Sequence, residues 1–346
     1  MNKPASYLLI YSLSIFCLSC FLLPGLRAQT MSFPDTVATY KGEVQNGKKE
    51  GLWLFYRGNN QLLAEGFYKN DKKDSLWFFY NTDGRRNQME SYKGGILNGI
   101  YASIYSNGEI KERGRYKDSL RTGDWEGFYR FGLKLYEGKY NEGKREGLWK
   151  EYYETGNLKS AVFYENDKLD GEAEFYDEYG QLQSKVYYKE NTLHGPVTEF
   201  YPDGSVALEG VFKIGKKDSV WVEYDPFKLI LAKEKYKNGS LVGKQSYYYP
   251  SGKLEKTEEY ELGIATGNWQ QYYENGQLKL NVNYKNGLKD GIYQEFFARG
   301  KKSVEGKYAY DLKTATWTSF FENGNLYSIG DYLRDQKTGL WKYFYE

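Results

Sequence analysis

Cysteine is almost missing from this chain. Its 346 residues hold two, Cys17 and Cys20, and both fall within the first 28. The remainder has neither disulfides nor thiol chemistry available to it. Histidine is scarcer still, with His194 alone, and a lone imidazole without cysteine or a second histidine is a poor metal site. An excess of charge is also missing. The 48 basic residues, less Lys3 and Arg27 of the first 28, leave 46 against 46 acidic ones. That neutrality speaks against a nucleic-acid partner, which asks for a basic surface, and gives no support for a membrane lipid. Beyond residue 28 no stretch sets apolar residues at helical spacing between caps, so no helix is expected. There is no Asp-x-Asp-x-Asp-Gly calcium loop, no phosphate-cradling glycine loop and no Gly-x-Ser-x-Gly. Adjacent carboxylates such as Glu258 and Glu259 would face opposite ways in a strand. The expectation is a protein that is not an enzyme, with no cofactor and no metal. Aliphatic residues are thin, so burial must rest on aromatic rings: 37 Tyr, 19 Phe and 8 Trp.

The first 28 residues differ from the rest. Lys3 precedes an apolar run over 7–23, a Pro24-Gly25 break and Leu26-Arg27-Ala28. This reads as a signal peptide cleaved after Ala28, hence an exported protein of the periplasm, the cell surface or the medium. An uncleaved membrane anchor is the alternative, for which the run is only just long enough. Residues 29–39, with Pro34, read as a tether.

From residue 40 to 346 the chain repeats itself every 24 residues. Anchors fall at Gly51, Ser75, Gly99, Gly123, Gly147, Gly171, Gly195, Ser219, Gly243, Gly267, Gly291, Ala315 and Gly339, without an insertion. Counting each anchor as position 0, all eight Trp occupy position 2. Position 5 is aromatic in twelve of thirteen copies, and position 17 is Tyr in eleven of twelve. Self-similarity at this period marks a stacked array of about 12–13 units, which grows in one dimension and needs no central core.

Within a unit the pattern predicts a β-hairpin. Trp, Tyr and Phe over positions 1–6 favour a pleated, half-buried surface. Asn275-Gly276 between two such runs is a hairpin signal, since both residues tolerate positive φ. A second Gly-rich turn, such as Asn286-Gly287, joins one hairpin to the next. Strand alternation puts Trp opposite position 15, which is Gly at 42, 66, 114, 138, 210, 306 and 330. The ring then covers a cross-strand glycine. One face comes out apolar, the other wet. The fold expected is all-β, an elongated array of antiparallel hairpins in a single sheet, twisted or curled around its apolar face or dimerised over it.

Tyr40-Lys41-Gly42-Glu43-Val44-Gln45-Asn46-Gly47-Lys48-Lys49-Glu50-Gly51 resembles the MORN repeat, with its Tyr-x-Gly, Asn-Gly-Lys and closing Gly. Residues 136–147 repeat the pattern, and Trp149 followed by Tyr152-Tyr153 and Gly156-Asn157-Leu158 looks like the variant repeat of bacterial proteins. The resemblance covers residues 40–346. It implies hairpins joined edge to edge and a binding or scaffolding role with a protein partner; some bacterial relatives are labelled antitoxin-like. A carbohydrate or cell-wall binder is the second reading, since choline-type wall-binding repeats are also short aromatic hairpins. Under either reading, the position-5 rings on the wetter face, Tyr152, Tyr176, Phe200, Tyr224, Tyr248 and Tyr272, form a candidate column for stacking on glycan or peptide. A ladder that merely stabilises the sheet is the plainer account of them. His194 stands where other copies have Glu, Asp, Asn or Thr, and reads as a turn residue.

The array departs from itself between residues 171 and 266. Position 2 is Ala173, Val197 and Gln245 there, and only Trp221 keeps its ring. Unless neighbours fill the space, the lost rings make this stretch the weakest of the array. Drift in a redundant array and a groove for a partner are the two explanations.

Overall fold

The computed structural model describes residues 37–346. The signal peptide expected at 1–28, and the tether up to residue 36, lie outside the described residues. The chain divides into two compact units, residues 1–146 and 147–346, each described here by itself. The first contains β1 (Thr39–Gln45), β2 (Lys48–Tyr56), β3 (Leu62–Lys69), β4 (Lys72–Tyr80), β5 (Arg86–Lys93), β6 (Ile96–Ile104), β7 (Ile110–Lys117), β8 (Leu120–Phe128) and β9 (Lys134–Asn141). The second begins within β10 (Lys144–Tyr152) and continues to β27 (Gln336–Tyr343). In each, consecutive strands pair antiparallel, and the described residues contain no helix. The protein is all-β, an array of antiparallel hairpin repeats. Among the described residues β1 pairs only with β2, and β27 only with β26 (Leu326–Leu333). Each unit is thus an open sheet; of the twisted and the curled forms that the apolar face allows, the curled one is not found.

Two turn types alternate. Between the strands of a unit the Tyr273 amide donates to the Gln277 carbonyl and the Gly276 amide to the Tyr273 carbonyl, both at 2.8 Å. Gly276 has φ 89°. This is a type I turn followed by a left-handed glycine, and it leaves Asn275 in ordinary backbone. Between units the turn has two residues and both are left-handed, as at Asn46 (φ 52°) and Gly47 (φ 76°).

The anchors have a role that periodicity did not disclose. Each sits inside a strand with positive φ, even Ser75 (56°) and Ala315 (58°). Val162 pairs with Ala173 and Tyr164 with Leu169, so residues 170–172 face Phe163 alone. The anchor therefore belongs to a bulge, at its centre here and at its first residue where 51–53 face Gly42, and glycine is preferred there because the left-handed region strains any residue with a Cβ.

Six of the Trp, at 53, 77, 125, 221, 317 and 341, lie on a cross-strand glycine, though on the preceding strand; Trp269 has Glu258 in that place. A Cβ at Gly42 would fall 2.3 Å from the Trp53 ring, and one at Gly66 would fall 2.2 Å from Trp77. The indole N–H of Trp53, Trp77, Trp125, Trp269, Trp317 and Trp341 donates to a backbone carbonyl ten residues earlier, from Trp77 to Phe67 at 3.0 Å; that of Trp221 is buried with no partner among the described residues. Tyr at position 17 meets the ring edge-on: Tyr68 and Trp77 are 5.0 Å apart at 89°. A cation four residues before the Trp closes the other side. Lys49, Lys73, Arg121, Lys217, Lys313 and Lys337 stand 3.9 to 4.8 Å from their rings. Trp77 and Trp125 are fully buried in this way. Local cover by glycine, tyrosine and cation thus does what a curl or a dimer had been expected to do.

The missing rings leave no gap. Where the ring is lost, the glycine and the cation change with it. Ala173 pairs with Val162 and follows Leu169, and all three are buried. Val197 pairs with Val186 and follows Leu193. Gln245 is fully buried; its carbonyl accepts from the Lys235 amide at 2.6 Å, and its amide donates to the Val242 and Gly243 carbonyls. The stretch 171–266 is packed, and the reason given for its weakness falls away.

Candidate protein-interaction surface

The position-5 rings lie on the face opposite the tryptophans. Tyr152, Tyr176, Phe200, Tyr224, Tyr248 and Tyr272 are all half-buried. Successive members are two strands apart, roughly 10 Å, which is beyond ring-stacking distance. Their phenols serve the sheet: Tyr176 donates to Glu174 at 2.7 Å, Tyr224 to Glu209 at 2.6 Å and Tyr272 to Gln270 at 3.0 Å. Burial, then the Glu174 carboxylate, pushes the Tyr176 phenol up to about 12. Lys185 bridges Glu172 and Glu174 at 2.9 and 3.0 Å, and both carboxylates hold its ammonium above the usual lysine range. Three of the six rings are thus tied by their phenols to neighbouring side chains.

His194 is engaged in a turn. Its Nδ1 accepts the Ile214 amide at 3.4 Å. Glu50 accepts Asn70 at 2.8 Å and Asp170 accepts Glu190 at 3.2 Å in the corresponding places. The imidazole stands in for a carboxylate that caps the next turn. Among the described residues no group of three or more His, Cys, Asp or Glu is placed to hold a metal ion.

A stronger candidate surface lies in the first unit, where the face expected to be wet is apolar. Along one row Leu52 pairs with Phe67, Leu76 with Ser91 and Ile100 with Arg115. Beside it Phe78 pairs with Met89, and Met89 with Ala102. Leu52 and Phe67 are each 47% exposed and Ile100 41%. The patch runs over β2 to β7 and meets a basic rim on β7, formed by Lys111, Arg113 and Arg115. Arg113 is tied to Glu126 at 2.6 Å. Lys111 and Arg115 have no ion-pair partner among the described residues. Reading the repeats by column hid this patch, because its residues vary at each position along the array; Leu52-Trp53-Leu54-Phe55, apolar at four successive positions, was the visible signal. A continuous, half-exposed apolar surface with a charged border is what interaction sites look like.

Seven stretches of the chain match the MORN repeat variant: residues 49–70, 145–166, 169–190, 193–213, 241–261, 265–286 and 313–333. Every one begins two residues before an anchor, in the phase read from the sequence. None of the curated proteins is significantly similar. Among solved structures, the crystal structure of TcdB2-TccC3 is 12% identical with a TM-score of 0.16, over 86% of this chain and 18% of that one. The Photorhabdus luminescens Tc holotoxin pore is 11% identical with a TM-score of 0.17, over 83% and 18%. The chain spans less than a fifth of the length of either, and a likeness this slight carries no argument.

Proposed function

We propose that this chain, seven stretches of which match the MORN repeat variant, is an exported, non-enzymatic array that binds a protein partner through the apolar face of its first unit. Export is inferred from the signal-peptide pattern of residues 1–28. An immunity-like role, in which the partner is a toxin, is a special case of the same reading. The observation that carries the proposal is the surface around Leu52, Phe67 and Ile100. Leaving such side chains half in water costs roughly 25 cal/mol per Å² of apolar area, and their burial by a partner recovers it.

The test is co-purification from the native cells. The wild-type protein should retain a stoichiometric protein partner, and Ile100→Lys should lose it while the circular dichroism spectrum stays unchanged. Retention of the same partner by Ile100→Lys contradicts the reading.

A further inference from the structure

We propose that the first unit's apolar face receives an amphipathic helix of the partner, about 16 residues long, whose apolar stripe ends in a carboxylate over Arg115. The proposal rests on the protein-binding reading and specifies its partner.

Strand addition is closed to a ligand on this face. The backbones of β2 to β7 already pair with each other on both sides, so a partner must present side chains. A helix with an apolar stripe is the element that packs onto a sheet face in this way. The row Leu52, Phe67, Leu76, Ser91, Ile100, Arg115 crosses six strands, or five spacings of ~4.8 Å, hence ~24 Å. At 1.5 Å per residue that is about 16 residues of helix. The row is apolar at the β2 end and cationic at the β7 end. Arg115 lies directly across from Ile100 without an ion-pair partner among the described residues. A carboxylate at the matching end of the helix completes it by charge complementarity.

One group decides between a helix and a lipid surface. Glu65 sits between Leu54 and Phe78 on the same face. Its carboxylate is held by the Tyr80 hydroxyl and stands 3.7 Å from Arg86, toward the turn and away from the Leu52–Arg115 row. A helix about 10 Å wide over that row leaves Glu65 in water. A bilayer would cover it, and burying a carboxylate is costly.

The probe is a synthetic 18-residue helix with leucine at i, i+3, i+4 and i+7 spacing and two glutamates at one end. It should bind the full chain saturably, and at least roughly tenfold more tightly than the same peptide with lysines in place of the glutamates. Ile100→Lys should abolish binding of the glutamate peptide. Arg115→Glu should reverse the charge preference with the fold intact, a result a general loss of stability would not give. The proposal is overturned if neither peptide binds saturably or if binding ignores both substitutions. It is also overturned if Ile100→Lys instead abolishes binding to phosphatidylserine vesicles or a concentration-dependent dimer. Should the peptides fail while the native partner is still lost on Ile100→Lys, the helix is wrong and the protein-binding reading stands.

Discussion

The ring of Trp77 lies on Gly66, eleven residues earlier and one strand away, so closely that a methyl group on the glycine would fall 2.2 Å from it. The ring is fully buried between Tyr68, Tyr92 and Lys73 and cannot retreat. Gly66→Ala should therefore cost about 1–3 kcal/mol, the range for overpacking, read as a fall in the denaturant midpoint.

The same site tests whether the three positions exchange as a set. Trp77→Ala alone should cost about 3–5 kcal/mol. Adding Gly66→Val and Lys73→Leu copies the arrangement of Val162, Leu169 and Ala173 and should recover most of that loss. A triple variant no more stable than Trp77→Ala would show that the sets are not interchangeable.

Gln245 is the polar version of the same plug. Gln245→Leu keeps the volume but leaves the Lys235 amide without the acceptor it has at 2.6 Å. A buried orphan donor costs about 1–3 kcal/mol. Thermal unfolding of this variant should begin at lower temperature, and amide exchange at Lys235 should rise.

Glu199 supplies a pH dependence. Burial raises its carboxyl above the usual range, with the Lys217 charge opposing. A folded pKa above the unfolded one means that the charged form penalises the folded state at neutral pH. The penalty fades as pH falls through the folded pKa and is gone below the unfolded one. Glu199→Gln should therefore be more stable than wild type at pH 7, with the difference closing on acidification. A difference that widens toward low pH would refute the assignment.

Much of the fold was legible because its signals repeat. The position-2 Trp and position-15 Gly recur at fixed phase, so a ring over a glycine followed from strand alternation. The pairing was one strand off. Hairpin register opposes Trp53 to Gly66, as the structure does, but the ring covers Gly42. The sequence does carry the better signal: each of the seven position-15 glycines stands eleven residues before a Trp. The cation four residues before the ring was equally visible at Lys49, Lys73 and Arg121, and was passed over because surface lysines are ordinary. The bulge at the anchors was not legible, since glycine serves turns, close contacts and left-handed strand positions alike. The candidate column at Tyr152 to Tyr272 was found for its periodicity, which is a property of structure more than of binding. In the patch around Leu52, Phe67 and Ile100, Leu52, Leu76 and Ile100 share position 1, but that position turns to Asp124 and Glu172 further along, and the strand register brought the patch together.

The measurement that tests the central claim most directly is covalent side-chain footprinting of the protein with and without its native partner. Leu52, Phe67, Met89 and Ile100 should be shielded in the complex, while Tyr152, Tyr176, Phe200, Tyr224, Tyr248 and Tyr272 should be labelled equally in both states. Shielding of that tyrosine column with Phe67 and Ile100 unchanged would contradict the account.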